Sequence, residues 1–248
     1  MAKHSFANCK IMLELKANSS LKKLMTGNMN MSDQPEQTLE TQLRKLRERT
    51  SAETTIIYNK SVQDLIATNI EKTALQKGVL APDFTLPNAT GQEINLSALL
   101  VNGPVVLTFY RGAWCPYCNI QLRAYQEILP QIHELGAELI AISPELPDGS
   151  LTITEKHHLA FPVLSDVNAV VLRQYKVLFT VPENIREIYL KAGLDIVKAN
   201  GVATWELPIP ATYIIDSDRV IRFAYTKPDY RERLEPKTLL EQVALLRK

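Results

Sequence analysis

The amino-acid sequence predicts an α/β fold, in which a central mixed sheet is flanked by helices and follows a helical N-terminal extension. Pro104–Tyr110 is a run of apolar and β-branched residues typical of a buried strand, and Ala137–Ser143 is a second such run. A helical pattern separates the two, and the order strand, helix, strand implies parallel pairing. Near the C-terminus, ATYIID and RVIRFAY flank the turn residues Ser217 and Asp218, which predicts a hairpin.

The chain begins with a methionine-rich segment, residues 1–36, that we expect to be a flexible leader. All five methionines lie in the first 31 residues, together with five lysines and one acidic residue. Because the segment has no periodic apolar face, we expect truncation to Met29 or Met31 to leave the fold and the activity intact.

Residues 37–77 are predicted to form a helical extension of two amphipathic helices. Apolar residues recur there at helical spacing and are separated by charged residues. They are Leu39, Leu43, Leu46, Ile56, Ile57, Val62, Leu65 and Ile66. Such apolar stripes need a partner, and the sequence leaves two open: the downstream domain, or a second copy of the chain in a homodimer.

A compact domain is predicted over residues 78–248, where the sequence changes to glycine, proline and short β-branched runs. Its predicted helices are Asn119–Leu129, ended by Pro130, then Glu155–Ala160 and Glu235–Leu246. The stretch Phe179–Leu207 is a long connection with a helical pattern at Glu183–Ala192. Long connections of this kind often cover a site.

Composition and charge exclude several classes of protein. The 248 residues are 46% hydrophobic and 22% charged, as in an ordinary globular protein. A formal net charge of +1 gives no electrostatic reason to expect nucleic acid or an anionic membrane as a partner. Because there is no run long enough to span a membrane and no signal core near the start, we expect a cytoplasmic protein with reduced thiols.

The segment Trp114–Cys118, with the sequence WCPYC, carries the chemistry of the chain. It stands where a predicted strand ends and a predicted helix begins. A thiol at that position meets unpaired amide groups and the positive end of the helix dipole, so its thiolate is favoured. A second cysteine one turn later can close a reversible disulfide with the first.

A zinc site and inert packing are the alternatives to redox chemistry at this pair. Zinc would need a second pair of ligands, and Cys9 and His133 do not form a recognisable spaced pair. The adjacent His157 and His158 are typical of a solvated helix surface. The sequence has no glycine-rich phosphate loop and no nicotinamide fingerprint. We therefore expect neither a metal nor a bound cofactor. We expect the electrons for the reaction to arrive through thiols.

The run FYRGAWCPYC, with APDFTL before it and ISPE, FPVLSD and ATYIID after it, resembles the peroxiredoxin family. This is the family of alkyl hydroperoxide reductase and thiol-specific antioxidant proteins, and the resemblance is to its branch with a CxxC site. The matching segments run in order from Gly78 to Tyr225. The resemblance implies a thioredoxin-like fold, reduction of peroxides by a thiol, and recycling by thioredoxin or a related dithiol donor.

Two features depart from the pattern of that family. Where the family has proline, threonine and the peroxidatic cysteine in PxxxTxxC, this chain has Arg111, Cys115 and Cys118. Where the family has an arginine before a later strand, this chain has Pro210, the position of the cis-proline in thioredoxins. Pro210 is therefore either a cis-proline or an ordinary strand-entry proline.

Six residues are predicted to shape the site around the two cysteines. They are Arg111, Trp114, Pro116, Tyr117, Pro210 and Thr212. Arg111 either replaces the missing cation of the family or faces solvent. Trp114 and Tyr117 either frame the thiols with apolar surface or pack on the sheet. Thr212 either forms a hydrogen bond near the pocket or is an ordinary strand residue.

We expect a thiol peroxidase in which peroxide oxidises the pair to an intramolecular Cys115–Cys118 disulfide and leaves Cys9 free. Two other functions stay open: a thioredoxin-like reductase of protein disulfides, and a non-catalytic, redox-responsive binding module. The register of the family makes Cys118 the attacking thiol, whereas the helix dipole favours Cys115, which is nearer the helix terminus. We expect Cys115 to have the lower pKa and to attack first.

Overall fold

The computed structural model describes residues 38–246, so the predicted leader, residues 1–36, lies outside the described residues. The helices are α1 (Leu39–Arg47), α2 (Ala52–Ala67), α3 (Ile70–Thr73), α4 (Leu96–Leu100), α5 (Pro116–Glu127), α6 (Leu129–Glu134), α7 (Pro147–His157), α8 (Val170–Gln174), α9 (Glu183–Lys191), α10 (Ile196–Asn200) and α11 (Pro236–Ala244). The strands are β1 (Thr85–Pro87), β2 (Glu93–Asn95), β3 (Val105–Phe109), β4 (Glu138–Ser143), β5 (Val163–Ser165), β6 (Leu178–Thr180), β7 (Glu206–Pro208), β8 (Ala211–Ile215) and β9 (Ile221–Thr226).

A five-stranded mixed sheet with the order β5-β4-β3-β8-β9 forms the centre of the fold. Strands β3, β4 and β5 pair in parallel, which confirms the pairing predicted from the strand, helix, strand order. Strand β8 pairs antiparallel with both β3 and β9, so the predicted hairpin is present and makes the sheet mixed. The chain crosses from β3 to β4 through α5 and α6, and the site is built at the start of this crossover.

The core lies on both faces of the sheet because alternate residues of each strand point to opposite sides. All five residues of β3 are buried. Val106 packs on one face with α5 and α11, whereas Leu107 and Phe109 pack on the other face with α4 and α8. Burial on both faces explains why β3 reads as a continuous apolar run rather than an alternating one.

Helix α1 packs on the same face of the sheet as α5. Leu39 and Leu43 are each 2% exposed and belong to the core cluster that contains α5. The Arg47 guanidinium donates to the backbone oxygen of Arg231 (2.7 Å). Of the two partners that the sequence left open for the apolar stripe of α1, the downstream domain is the one that covers it here. On α2, Ile56 keeps 70% of its surface exposed.

Several helix boundaries differ from the predicted ones, and proline is the common reason. Helix α5 begins at Pro116 rather than Asn119, and α7 begins at Pro147 rather than Glu155. Pro130 lies in the first turn of α6 and does not end the helical path there. A proline in the first helical turn has no amide hydrogen to leave unpaired, so it starts a helix as readily as it ends one.

The segment that begins with β6 and ends with β7 folds into a small unit of its own. It contains α9, α10 and the antiparallel pair β6–β7. Its apolar side chains Val181, Ile185, Tyr189, Ile196 and Leu207 form a separate buried cluster, against which Trp114 also packs. The long connection predicted at 179–207 therefore lies against the thiol-bearing loop.

Within residues 38–246, none of the helices combines the length and apolar character needed to cross a membrane.

Candidate active site

Both cysteines of WCPYC lie at the junction between β3 and α5, as the sequence predicts. Pro116 is the first residue of α5, and Cys115 is its N-cap residue in an extended conformation. The Cys115 amide donates to the Gly112 oxygen (3.1 Å), and the Cys115 oxygen accepts from the Asn119 amide (3.1 Å). Cys118 follows as the third residue of the helix, so both thiols occupy its first turn, where the helix dipole acts most strongly.

Gly112 shapes the loop that leads to the thiols. Its φ of +147° lies in the region that favours glycine. A Cβ at this position would lie 2.4 Å from the indole nitrogen of Trp114. The absence of a side chain therefore lets the Trp114 ring fold back over the loop.

Cys118 is completely buried and lies in a strongly cationic environment. The Arg233 guanidinium donates to its sulfur at 3.4 Å, and the backbone N–H of Arg111 does so at 3.5 Å. Burial by itself raises the pKa of Cys118. The hydrogen bond from the Cys115 thiol, the charge of Arg233 and the Arg111 N–H together outweigh burial and lower that pKa to about 5. These contacts therefore favour the thiolate form of Cys118 over the thiol.

Cys115 is 1% exposed and shows the opposite behaviour. Burial raises its pKa, and the hydrogen bond to Cys118 and the negative charge there raise it further. The prediction that Cys115 has the lower pKa is therefore wrong. The helix dipole acts on both thiols, whereas the guanidinium contact and the Arg111 N–H contact go to Cys118 alone.

Arg111 is buried rather than solvent-facing, with 3% of its surface exposed. Its guanidinium carbon lies 4.5 Å from the ring centre of Tyr230, 5.0 Å from that of Trp114 and 5.7 Å from that of Tyr189. One guanidinium nitrogen donates to the Tyr189 hydroxyl. Stacking on aromatic faces stabilises a buried arginine, and this arrangement keeps the cation beside the thiols.

Trp114 and Tyr117 pack against aromatic residues that surround Arg111. The Trp114 ring lies 6.0 Å from Tyr189, and the Tyr117 ring contacts Tyr230 edge to face at 5.4 Å. Pro116 is exposed beside them, at the start of α5. These three residues and Arg111 all line the cavity described below, so the structure brings together four of the six predicted site-shaping residues.

Pro210 and Thr212 lie elsewhere. The Pro210 oxygen accepts from the Lys227 amide (3.1 Å) at the edge between β8 and β9. The Thr212 hydroxyl meets that of Thr108 at 3.0 Å, inside the sheet. Neither residue lines the cavity. The ordinary interpretation, a strand threonine, fits Thr212, and a cis bond at Pro210 stays a prediction.

A cavity of about 510 Å³ opens from solvent to Cys115. Its inner end is formed by buried residues and its outer rim by exposed ones such as Arg49 and Gly193. The remaining lining residues come from the N-terminal helices, the thiol loop, α9 with the turn after it, and Tyr230. Cys115 lines this cavity and Cys118 does not.

Sequence reasoning missed three contributors: Arg233, Tyr189 and Glu145. Arg233 is 115 positions from Cys118, and Tyr189 is 78 positions from Arg111, so no local pattern connects them. Glu145 is 6% exposed, and its carboxylate accepts from the Ala113 amide at 2.7 Å. Burial, with a contribution from the charge of Cys118, raises the pKa of Glu145 to about 6, against the effect of that hydrogen bond. The sequence motif ISPE ends at Glu145, so it was a signal by which this residue could have been found.

No group of three or more His, Cys, Asp or Glu side chains among residues 38–246 is arranged to hold a metal ion.

Comparison with known proteins gives a consistent result. A family model described as "AhpC/TSA family" matches residues 78–224. Peroxiredoxin Bcp of Escherichia coli K12 is 30% identical over 103 residues, which are 42% of this chain and 65% of that protein. The thiol-disulfide oxidoreductase ResA of Geobacillus thermodenitrificans is 29% identical over 170 residues, covering 66% of this chain and 80% of ResA.

Among solved structures, the peroxidoxin BcpB of Mycobacterium tuberculosis superimposes with a TM-score of 0.56 at 24% identity. The superposition covers 70% of this chain and 99% of BcpB. At this identity the likeness concerns the fold, which is the thioredoxin-like fold with a central mixed sheet.

Proposed function

The chain belongs to the AhpC/TSA family, and on that premise we propose that it is a thiol peroxidase in which Cys118 attacks the peroxide and Cys115 resolves the product. The observation that carries the proposal is the contact of Cys118 with the Arg233 guanidinium and the Arg111 N–H. The thiolate is the nucleophilic form of cysteine, and these contacts keep Cys118 ionised at neutral pH.

The first step breaks the O–O bond. The Cys118 thiolate attacks one peroxide oxygen, the other oxygen leaves as an alkoxide or hydroxide that takes up a proton, and Cys118 becomes a sulfenic acid. Sulfur loses two electrons and the peroxide gains them. The guanidinium of Arg111, fixed by its three aromatic neighbours, is placed to stabilise negative charge that develops on the leaving oxygen. Because Cys118 is buried and Cys115 lines the cavity, we expect the peroxide to enter through the cavity, past the side chain of Cys115.

The second step closes the disulfide. The sulfur of Cys115 attacks that of Cys118, the sulfenic hydroxyl leaves and takes a proton to form water, and the Cys115 proton is released. The positions of the two cysteines, N-cap and third residue of one helix, suit a small intramolecular disulfide. An external thiol donor then reduces it, and family membership makes thioredoxin or another dithiol one candidate for that donor.

Single-turnover peroxide consumption with sulfenic-acid trapping by dimedone tests the roles of the two cysteines. In Cys115→Ser we expect one equivalent of peroxide to be consumed and the trapped sulfenic acid to lie on Cys118. In Cys118→Ser we expect consumption to fall to the background rate. Cys9→Ser is the matched control and should behave like the unmodified protein. Sulfenic acid trapped on Cys115 in Cys118→Ser would reverse the assignment.

A second candidate function is the reduction of protein disulfides, favoured by the CxxC pair and by the similarity to a thiol-disulfide oxidoreductase. The position of Cys118 argues against it, because this thiol is completely buried and lies outside the cavity lining, whereas a protein disulfide would have to contact the attacking sulfur directly. Insulin reduction, compared with peroxide turnover in the same preparation, separates the two activities.

A further inference from the structure

The inner end of the cavity presents a buried cation that forms no ion pair with a carboxylate among residues 38–246. Arg111 is 3% exposed and lines the cavity, and its Nε atom is buried without a hydrogen-bond partner. Among the ion pairs formed within residues 38–246, none includes Arg111. Its direct polar side-chain contact is the neutral hydroxyl of Tyr189. A buried charge of this kind is costly unless an opposite charge lies close by.

In the reduced protein the nearby negative charge is that of Cys118. Formation of the Cys115–Cys118 disulfide removes it. Arg233, the other guanidinium beside Cys118, also donates to the backbone oxygens of Tyr230 and Glu232. It therefore still has hydrogen-bond acceptors after the disulfide has formed. Arg111 keeps three aromatic faces and one hydroxyl, so the oxidised protein holds a cation at the inner end of the cavity that an anionic ligand can pair with.

The cavity also determines which sulfur a reductant can reach. Cys115 lines it, whereas Cys118 lies outside the lining and is fully buried. Attack on Cys115 expels Cys118, whose low pKa makes it the better leaving group. The volume of about 510 Å³ falls within the range of small-molecule sites, about 300–1,000 Å³. A cysteine on a protein surface would have to pass the exposed rim to come within bonding distance of Cys115.

We propose that the oxidised protein is reduced by a low-molecular-weight thiol that carries a carboxylate, bound in this cavity with its carboxylate on Arg111. This rests on the proposed function, since the peroxidase cycle forms the disulfide. The donor thiolate bonds to the Cys115 sulfur, the Cys115–Cys118 bond breaks, and the electron pair leaves on Cys118. A second donor thiol attacks the donor sulfur of this mixed disulfide and releases Cys115, which takes up a proton. Two donor thiols are oxidised to one donor disulfide, and the protein disulfide gains the two electrons.

The experiment has two stages, so that the two proposals can fail separately. The protein is first oxidised with one equivalent of peroxide, and peptide mapping detects the Cys115–Cys118 bond. Absence of that bond contradicts the proposed function, and the disulfide is then made with diamide instead. In the second stage, reduction of the disulfide is timed with N-acetylcysteine and with N-acetylcysteine amide. Each rate is divided by the rate of the same thiol with hydroxyethyl disulfide.

We expect the normalised rate of the acid to exceed that of the amide at least about tenfold, which corresponds to about 1.4 kcal/mol. Arg111→Met should bring the ratio close to one. Arg186→Met is the matched control, because Arg186 stacks on Trp205 (5.6 Å) and does not line the cavity. It should keep the ratio of the unmodified protein.

A measurement on the unmodified protein keeps the proposal testable if Arg111→Met fails to fold. N-acetylalanine, which has the carboxylate but no thiol, should inhibit reduction competitively, and N-acetylalanine amide should not. An acid-to-amide ratio of one, a ratio unchanged in Arg111→Met, or faster reduction by thioredoxin than by N-acetylcysteine at equal concentration would each overturn the proposal.

Discussion

Two aromatic clusters of similar composition have different roles in this protein. The core aromatic cluster consists of Phe109, Tyr175 and Tyr213, with ring centres 5.0 to 6.1 Å apart. The thiol-site cluster consists of Trp114, Tyr189 and Tyr230 around the guanidinium of Arg111. The first lies on the face of the sheet that packs against α4 and α8, and the second lies at the start of α5.

The difference lies in charge and open space rather than in residue type. The rings of the core cluster are buried against other apolar residues, and the Tyr175 hydroxyl donates to the backbone oxygen of Pro82 (3.2 Å). The rings of the thiol-site cluster enclose a cation and border a cavity of about 510 Å³. Aromatic burial alone therefore indicates packing, whereas the rings around the Arg111 cation border the cavity that we propose as a binding site.

The largest expected effect is a difference between the two clusters in how much each contributes to the free energy of unfolding. Phe109→Ala should lower the free energy of unfolding by about 3–5 kcal/mol, because Phe109 is completely buried at the centre of the sheet. Trp114→Ala is the matched change in the thiol-site cluster. It should cost less than half as much, since the ring is only partly buried and borders the cavity. Denaturant unfolding of both variants measures the difference, and equal costs would contradict the distinction between the clusters.

The second prediction concerns the cation that sequence reasoning missed. Arg233→Met should raise the pKa of Cys118, because it removes the guanidinium contact and leaves the effect of burial, which also raises that pKa. The thiolate fraction at pH 7 should fall, and with it the single-turnover rate with peroxide, by about 10–100-fold. The rate should recover as the pH rises. Ultraviolet absorbance of the thiolate, followed against pH, gives the pKa directly.

Arg222→Met is the control for that experiment, because Arg222 pairs with Asp216 and Asp218 at the hairpin. It should leave the titration of Cys118 unchanged. A titration midpoint for Arg233→Met that stays near pH 5 would show that the helix and the Arg111 N–H suffice to ionise the thiol.

The smallest expected effect tests the carboxyl beside the thiol loop. The folded-state pKa of Glu145, about 6, lies above its ordinary value of 4.5, so ionisation costs stability as the pH rises through this window. Glu145→Gln removes the ionisation and can still accept from the Ala113 amide. We expect it to raise the free energy of unfolding by about 1–2 kcal/mol at pH 7 and to change nothing at pH 4.

The oxidised protein provides the control, since the charge of Cys118 contributes to the raised pKa of Glu145. The gain from Glu145→Gln at pH 7 should be smaller once the disulfide has formed. Thermal unfolding at pH 4 and pH 7, in both redox states, checks this. A gain independent of pH would show that Glu145 affects stability through packing alone.

Much of the fold was predictable because its signals are local. The apolar runs of β3 and β4 are long, and the turn Ser217–Asp218 lies between two clear strand patterns, so the parallel pair and the hairpin follow from them. Short elements were missed, including the three-residue strands β1 and β2. Such strands take their conformation from their pairing partners, and a three-residue window has no periodicity of its own.

The sequence by itself determined the thiol chemistry of the site and its position. WCPYC after an apolar strand predicts a cysteine pair in the first turn of a helix, and the structure has it there. The tertiary structure alone decided which thiol the nearby cation favours as a thiolate, because Arg233 reaches Cys118 from 115 positions away. It likewise decided that Arg111 faces a cavity, since Tyr189 and Tyr230 come from distant elements. Helix starts depend on neighbouring residues, whereas the pKa of a buried thiol depends on every charge that folding brings near it.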